Sequence, residues 1–235
     1  MTEEEIKIMA RRSYPQTMIT ESGFDIVVPV WLSENPTATR TVVDKFIQKF
    51  FTAYDNRPSK RTSGKMTTVP DKLIDNLIEV RIKSFTPDDI TLIRFGHRLS
   101  MGAENIIGLI LEEYIHTKVL KYGWATCWGS CIKAVDLCNK NGDLIQIKNK
   151  DNTENSSSDK IRAGTTIQKW YRLSSRTGQT EWGALNTMLG IPASDKLSEE
   201  EFIQFARAVV IMNPKCLYVD SIEYNTIQKL LDARK

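Results

Sequence analysis

Ala134-Val135-Asp136 and Leu144-Ile145-Gln146-Ile147-Lys148, joined through Asn139-Lys140-Asn141-Gly142, decide how this chain is read. An acidic residue closes an apolar strand running from Ile132 to Leu137. A polar turn follows, and a second strand carries an acceptor and a lysine two residues apart. Side chains two apart on a strand share a face. Gln146 and Lys148 therefore project together, and a hairpin brings Asp136 beside them. An oxygen pair next to an ammonium suits a Mg²⁺-dependent phosphodiesterase: ligands for a hard cation and a positive charge near the attacking water.

Two neighbouring segments strengthen that reading. Upstream, Gly102 to Tyr122 carries apolar residues at Ile106, Ile107, Leu109, Ile110, Leu111, Tyr114, Ile115, Val119 and Leu120, a helix apolar on more than one side and stopped by Gly123. It brings Glu104, Glu112 and Glu113 towards the strands. Glu104 lies three, four and seven residues from Ile107, Gly108 and Leu111, so it is expected on an apolar face. A carboxylate there is costly unless paired or bound to metal. Downstream, Asn149 to Ser158 is a run of ten polar residues, rich in donors and acceptors for phosphates and base edges.

Further out, Met1 to Tyr14 reads as a short helix with Glu3, Glu4 and Glu5 in its first turn and Arg11 and Arg12 near its end. Ile26 to Leu32 reads as an extended segment or arm, because Pro29 argues against a central strand. Thr41 to Tyr54 and Asp71 to Val80 are amphipathic helices, and Pro87-Asp88-Asp89 caps a third, short one. Asn56 to Lys65 is a polar loop with four basic residues. It fits a solvated connector and a phosphate-contacting loop equally well. A helix is expected from near Asp159, holding Ile161, Ile167, Trp170 and Tyr171, then further helices over Ser198 to Met212 and Tyr224 to Ala233. Trp124, Trp128, Trp170 and Tyr171 read as core. Helices, a few strands, then helices again make a mixed α/β or α+β sandwich. One domain over residues 1–235 is expected, with 1–100 as a helical subregion.

Composition narrows the function classes. With 41% hydrophobic residues the chain builds a sizeable core, and a net charge of +3 leaves any basic surface local. Four cysteines are too few for a disulfide framework at this length. With His97 and His116 the only histidines, Cys127 and Cys131 read as buried thiols rather than a zinc site, and a Ser- or Cys-hydrolase lacks a partner set. No Gly-rich phosphate loop is present. The acidic N-terminus and the lack of a long apolar run point to a cytoplasmic protein without a membrane segment.

Asp136…Gln146-x-Lys148, with the phrase Gln146 to Ser158, resembles the PD-(D/E)xK nuclease superfamily and, within it, SinI-like type II restriction endonucleases. The superfamily resemblance covers about Glu104 to Lys148, and the subfamily phrase runs on to about Arg172. It implies a restriction-endonuclease-like core, a central mixed β-sheet flanked by helices, and sequence-specific hydrolysis of double-stranded DNA leaving 5′-phosphate ends. Asp136, Gln146 and the Ile147 carbonyl would hold Mg²⁺, and Lys148 would orient or deprotonate the water. Two departures stand out: Val135 where proline is usual, and Gln146 where an acid is usual. A helix glutamate, Glu104 first and Glu112 as the other candidate, would restore the missing charge. Asn149, Lys150, Asn152, Thr153, Asn155, Ser156, Ser157, Ser158, Arg162, Lys169, Arg172, Arg176 and Gln179 are the candidate DNA contacts, Arg176 to Thr180 forming a turn with reading-competent tips. A palindromic site is most economically read by a homodimer, and a cognate DNA methyltransferase is expected in the bacterial or archaeal host. The alternatives are a DNA-binding module that has lost catalysis and a structure-specific or repair nuclease of the same superfamily.

Overall fold

In a computed structural model, residues 1–64, 71–151 and 164–233 are described. Four helices come first: α1 (Glu3–Ser13), α2 (Gln16–Ser22), α3 (Phe24–Glu34) and α4 (Arg40–Asp55). Helix α1 starts as its sequence dictates. Thr2 and Glu5 form a reciprocal capping box, with Glu3, Glu4 and Glu5 at the positive end of the dipole.

Helix α3 replaces the extended arm expected over Ile26 to Leu32. Pro29 sits inside it, while Phe24, Val27, Val28, Val30 and Trp31 are all buried. An interior proline costs about 3 kcal/mol, whereas burying five large apolar side chains returns roughly 1.5–3 kcal/mol each. Burial wins. Trp31 stacks on Phe46 of α4 with ring centroids 4.1 Å apart, and Phe24 contacts Phe46, Phe50 and Phe51. Gly23, at φ +73°, joins α2 to α3 and lies against the sheet: a Cβ there would come within 2.7 Å of both Ala125 and Leu120.

Helix α5 (Lys72–Arg81) is the one expected from Asp71, which proves to be its N-cap and accepts from the Leu73 N–H. The two helices expected over Pro87 to Tyr122 are instead one 33-residue helix, α6 (Pro87–Val119), about 50 Å long. Thr86 and Asp89 box its start. Gly96 and Gly102 lie inside it, because a glycine costs only about 1 kcal/mol in a helix that tertiary packing supports.

The sheet has four strands in sequence order: β1 (Trp124–Thr126), β2 (Leu137–Asn139), β3 (Leu144–Lys150) and β4 (Gln168–Leu173). β1–β2 and β2–β3 are antiparallel; β3–β4 is parallel. The β2–β3 turn is the predicted one, with Gly142 at φ +86° and the Asn139 side-chain oxygen accepting from the backbone N–H groups of Asn141 and Asp143. β4 corrects the helix expected to hold Ile167, Trp170 and Tyr171. Their three-and-four spacing imitates a helix, but Trp170 is buried by pairing opposite Ile147.

Helices cover both faces. Trp124, Leu137, Ile145, Ile147 and Trp170 pack with Ile110, Leu111 and Tyr114 of α6 and with α7 (Trp182–Leu189) and α8 (Glu199–Met212). Ala125, Cys138 and Leu144 pack with α1, α3 and α4. The last described helix is α9 (Ser221–Asp232). The architecture is the expected mixed α/β one, a mixed sheet flanked by helices. Among the described residues no helix is long and apolar enough to cross a membrane.

Candidate active site

The apolar strand expected from Ile132 to Leu137 does not form. Residues 132–135 turn, with Ala134 at φ +59°, and β2 begins only after Asp136. Asp136 is nevertheless held by strand-like bonds. Its N–H donates to the Ile145 carbonyl (2.9 Å), and its carbonyl accepts from the Cys127 N–H (2.9 Å). Its Oδ2 then accepts from the Ile147 N–H at 2.7 Å. A side chain thus takes the place of the next backbone acceptor, and the β2–β3 ladder ends at this carboxylate. The Ile145 carbonyl points towards Asp136. By the two-residue repeat of a strand, so does the Ile147 carbonyl.

Gln146 and Lys148 share the other orientation of β3; Gln146 is buried and Lys148 partly so. Glu112, from the last third of α6, completes the group. Burial pushes its carboxyl well above the usual carboxylate range and the Asp136 charge adds to the rise, with Lys148 opposing both. The Asp136 carboxyl is also pushed up by burial, against the pull of the Ile147 N–H and Lys148. Two half-buried carboxyl groups thus share one ammonium. Their local charge is unbalanced by the protein itself.

Glu104 is not part of this group. It is exposed, lies eight residues and ~12 Å along α6 from Glu112, and faces Lys150 with Oε1 3.9 Å from Nζ. Of the face assigned to it, Leu111 is buried, but Ile107 and Gly108 are only partly so, and Glu104 itself stands outside the contact. Glu112 was the other candidate in the sequence. Only the rotational phase of the packed helix separates the two.

Glu113 is buried and fully engaged. It accepts from the Ser59 N–H (3.0 Å) and hydroxyl and pairs with Arg57 Nε at 3.2 Å. Arg57 also donates to the Tyr54 carbonyl and lies over the Tyr54 ring. The loop after α4 is therefore tied to α6 through Arg57, which makes it a structural residue rather than a phosphate contact.

Of the residues beyond Lys148, Asn149 and Lys150 continue β3. Asn152, Thr153, Asn155, Ser156, Ser157, Ser158 and Arg162 lie outside the described residues. Lys169 sits opposite Gln146 in the β3–β4 register. Arg172 is withdrawn from reading: its side chain is 11% exposed, pairs with Glu199, and donates from Nε to Asn149 Oδ1 at 2.9 Å. Arg176 and Gln179 stand exposed on a turn closed by the Ser174 N–H bond to the Gln179 carbonyl and by the Leu173–Thr180 bridge. Asp151 anchors that turn by accepting from the Ser175 N–H (2.9 Å). Nothing in the spacing of the sequence signals this tie.

Among the described residues no group of three or more His, Cys, Asp or Glu gathers as a metal site. The oxygen set at the ladder end is two carboxylates, one strand carbonyl and the neighbouring Gln146 amide, hard donors of the kind Mg²⁺ takes.

The described geometry can be set beside known proteins. The type II restriction enzyme Eco47I of Escherichia coli is 40% identical over 150 residues, 62% of this chain and 64% of that protein. The type II restriction enzyme SinI of Salmonella infantis is 37% identical over 147 residues, 60% of this chain and 62% of its own length. The chain thus spans a little under two thirds of the curated relatives it matches. The family model described as SinI restriction endonuclease matches residues 10–211. With that match extending over most of its length, the chain belongs to the SinI restriction endonuclease family.

Proposed function

We propose that this protein is a type II restriction endonuclease, a Mg²⁺-dependent hydrolase of double-stranded DNA at a short palindromic site. The observation that carries the reading is the half-buried pair Asp136 and Glu112 beside Lys148, two carboxyls whose ionised forms the protein alone disfavours. A divalent cation is what such a pair lacks. Asp136, Glu112, the Ile147 carbonyl and the Gln146 amide oxygen are the donors that would hold it. When bound, the cation supplies Lewis-acid activation of the nucleophile and charge neutralisation at the scissile phosphate.

The chain's own groups do the rest. The Ile147 N–H fixes the Asp136 carboxylate, so it is oriented before substrate arrives. Lys148, charged and partly buried, orients the attacking water and stabilises negative charge growing on the phosphate. Gln146 gives an oxygen without a charge, and Glu112 supplies the carboxylate that Gln146 does not. The products are a 5′-phosphate and a 3′-hydroxyl. Lys150, Lys169, Arg176 and Gln179 contact the duplex. A homodimer places one such group on each strand of a two-fold site, and the host protects that site with a matched methyltransferase.

The test is direct: incubate the protein with a long unmethylated duplex and Mg²⁺, then sequence the ends. Fragments sharing one short motif support the reading; random ends point to a non-specific nuclease. Gln146 in an acidic position favours one rival, a binding module without catalysis. That rival predicts tight duplex binding with no cleavage at any Mg²⁺ concentration.

A further inference from the structure

Trp170 and Tyr171 are neighbours that β4 sends to opposite sides of the sheet. Trp170 enters the core with α6 and α7, and its indole N–H donates to the Glu181 carbonyl at 2.8 Å. Tyr171 departs from the core place expected of it. It is only partly buried, and among the described residues its ring belongs to neither apolar cluster.

The register fixes what lies beside it. In the parallel β3–β4 pair, Lys148 stands opposite Tyr171, and Gln146 stands opposite Lys169. Paired residues on adjacent strands point to the same face, and so do residues two apart on one strand. Gln146, Lys148, Lys169 and Tyr171 therefore form one four-cornered patch, on the face opposite to Ile147, Trp170 and Arg172. Strands in a sheet lie about 4.8 Å apart, so the Tyr171 ring rises next to the Lys148 stem. β2, with Asp136 just before it, lies on the other side of β3. Lys148 thus stands between Asp136 and Tyr171.

Resting on the nuclease reading above, we infer that the Tyr171 hydroxyl is a second hydrogen-bond donor to the phosphodiester that Lys148 faces. Tyr171 is then a substrate-binding residue of the cleavage site. Lysine brings a point charge on a flexible stem, whereas the phenol brings one O–H at the end of a rigid ring set by two torsions. A non-bridging phosphate oxygen accepts from either. Lys148 offsets charge on the phosphate, and Tyr171 fixes its orientation.

Tyr171→Phe tests this, because it removes the hydroxyl and keeps the ring. The variant and the unaltered protein are compared in Mg²⁺-supported cleavage of a duplex bearing the cleaved motif, resolved into kcat and KM, with melting temperature measured alongside. Tyr171→Phe is expected to lower kcat/KM by about ten- to a hundredfold, as loss of a hydrogen bond to a charged group does, with melting unchanged. A duplex carrying sulfur for one non-bridging oxygen at the cleaved phosphate, made as each of its two diastereomers, then locates the acceptor. With one diastereomer the unaltered protein should lose more activity than Tyr171→Phe, because the variant has no bond there left to lose. Three results would overturn the inference and leave the nuclease reading standing: cleavage by Tyr171→Phe at the unaltered rate, a loss that only follows its melting temperature, or equal sulfur effects in both proteins for both diastereomers. Absence of Mg²⁺-dependent cleavage of any duplex by the unaltered protein would overturn the nuclease reading and the inference with it.

Discussion

Glu112 and Glu113 are adjacent on α6, and the protein treats them in opposite ways. Glu113 is sealed: Arg57, the Ser59 N–H and the Ser59 hydroxyl take up its oxygens, and the contact ties the loop after α4 to the long helix. Glu112 is left short of positive charge, facing Asp136 with only Lys148 to offset the two. One helical step, ~100° of rotation, separates a carboxylate whose partners are all protein from one whose missing partner must come from outside. The difference is the criterion for function here. Burial alone does not mark a site; burial without compensation does.

Substitutions can break this contrast. Asp136→Ala, Lys148→Ala and Glu112→Gln are each expected to remove cleavage on the order of a hundred- to a thousandfold or more, measured on duplex DNA in saturating Mg²⁺. Glu112→Gln should leave the metal-free protein at least as thermally stable as the unaltered chain, because it removes a carboxyl whose ionised form desolvation and Asp136 both disfavour. Glu113→Gln should do the reverse. It strands Arg57 in a buried setting, a loss of ~3–5 kcal/mol, read as a fall in melting temperature of roughly 10 °C.

His116, one turn beyond Glu112, sharpens the comparison from the basic side. It is buried, donates from Nε2 to the Glu21 carbonyl at 2.8 Å, and has Nδ1 with no partner among the described residues. Burial holds its pKa down at about 4, against an ordinary 6.5. The folded state therefore binds this proton less readily than the unfolded chain. The stability linked to His116 is fully present above pH 6.5 and drains away as pH falls towards 4, by roughly 3 kcal/mol at the end of that window. His116→Asn should flatten this acid limb in urea titrations taken between pH 7 and 4. The smallest effect is expected at Glu104. Its exposed pair with Lys150 is worth under about 1 kcal/mol, so Glu104→Gln should change cleavage by less than about fivefold.

The β3 strand and the turn before it were legible because their signals are local, whereas the first strand reads five residues too early, over a turn at 132–135. A two-residue repeat puts Gln146 and Lys148 together, and Asn139 to Gly142 names its own turn. The phase of α6 was not legible. Glu104 and Glu112 both lie near apolar residues in sequence, and only packing against the sheet decides which is enclosed. Pro29 concealed α3 because a local penalty was weighed without the burial that outweighs it. Ile167, Trp170 and Tyr171 concealed β4 because the partner that buries Trp170 is a parallel strand on the far side of a crossover. Arg172 looked like a guanine reader in sequence, since nothing local announces Glu199, 27 residues away, as its partner.

The central claim is that Glu112, rather than Glu104 or Glu113, completes a cation site with Asp136. Mg²⁺ titration by isothermal calorimetry on the unaltered protein, Glu112→Gln and Glu104→Gln tests it most directly. The account predicts saturable binding to the unaltered protein and to Glu104→Gln, and loss of that binding in Glu112→Gln. Equal Mg²⁺ affinity in Glu112→Gln and the unaltered protein, or loss of binding in Glu104→Gln, would contradict it.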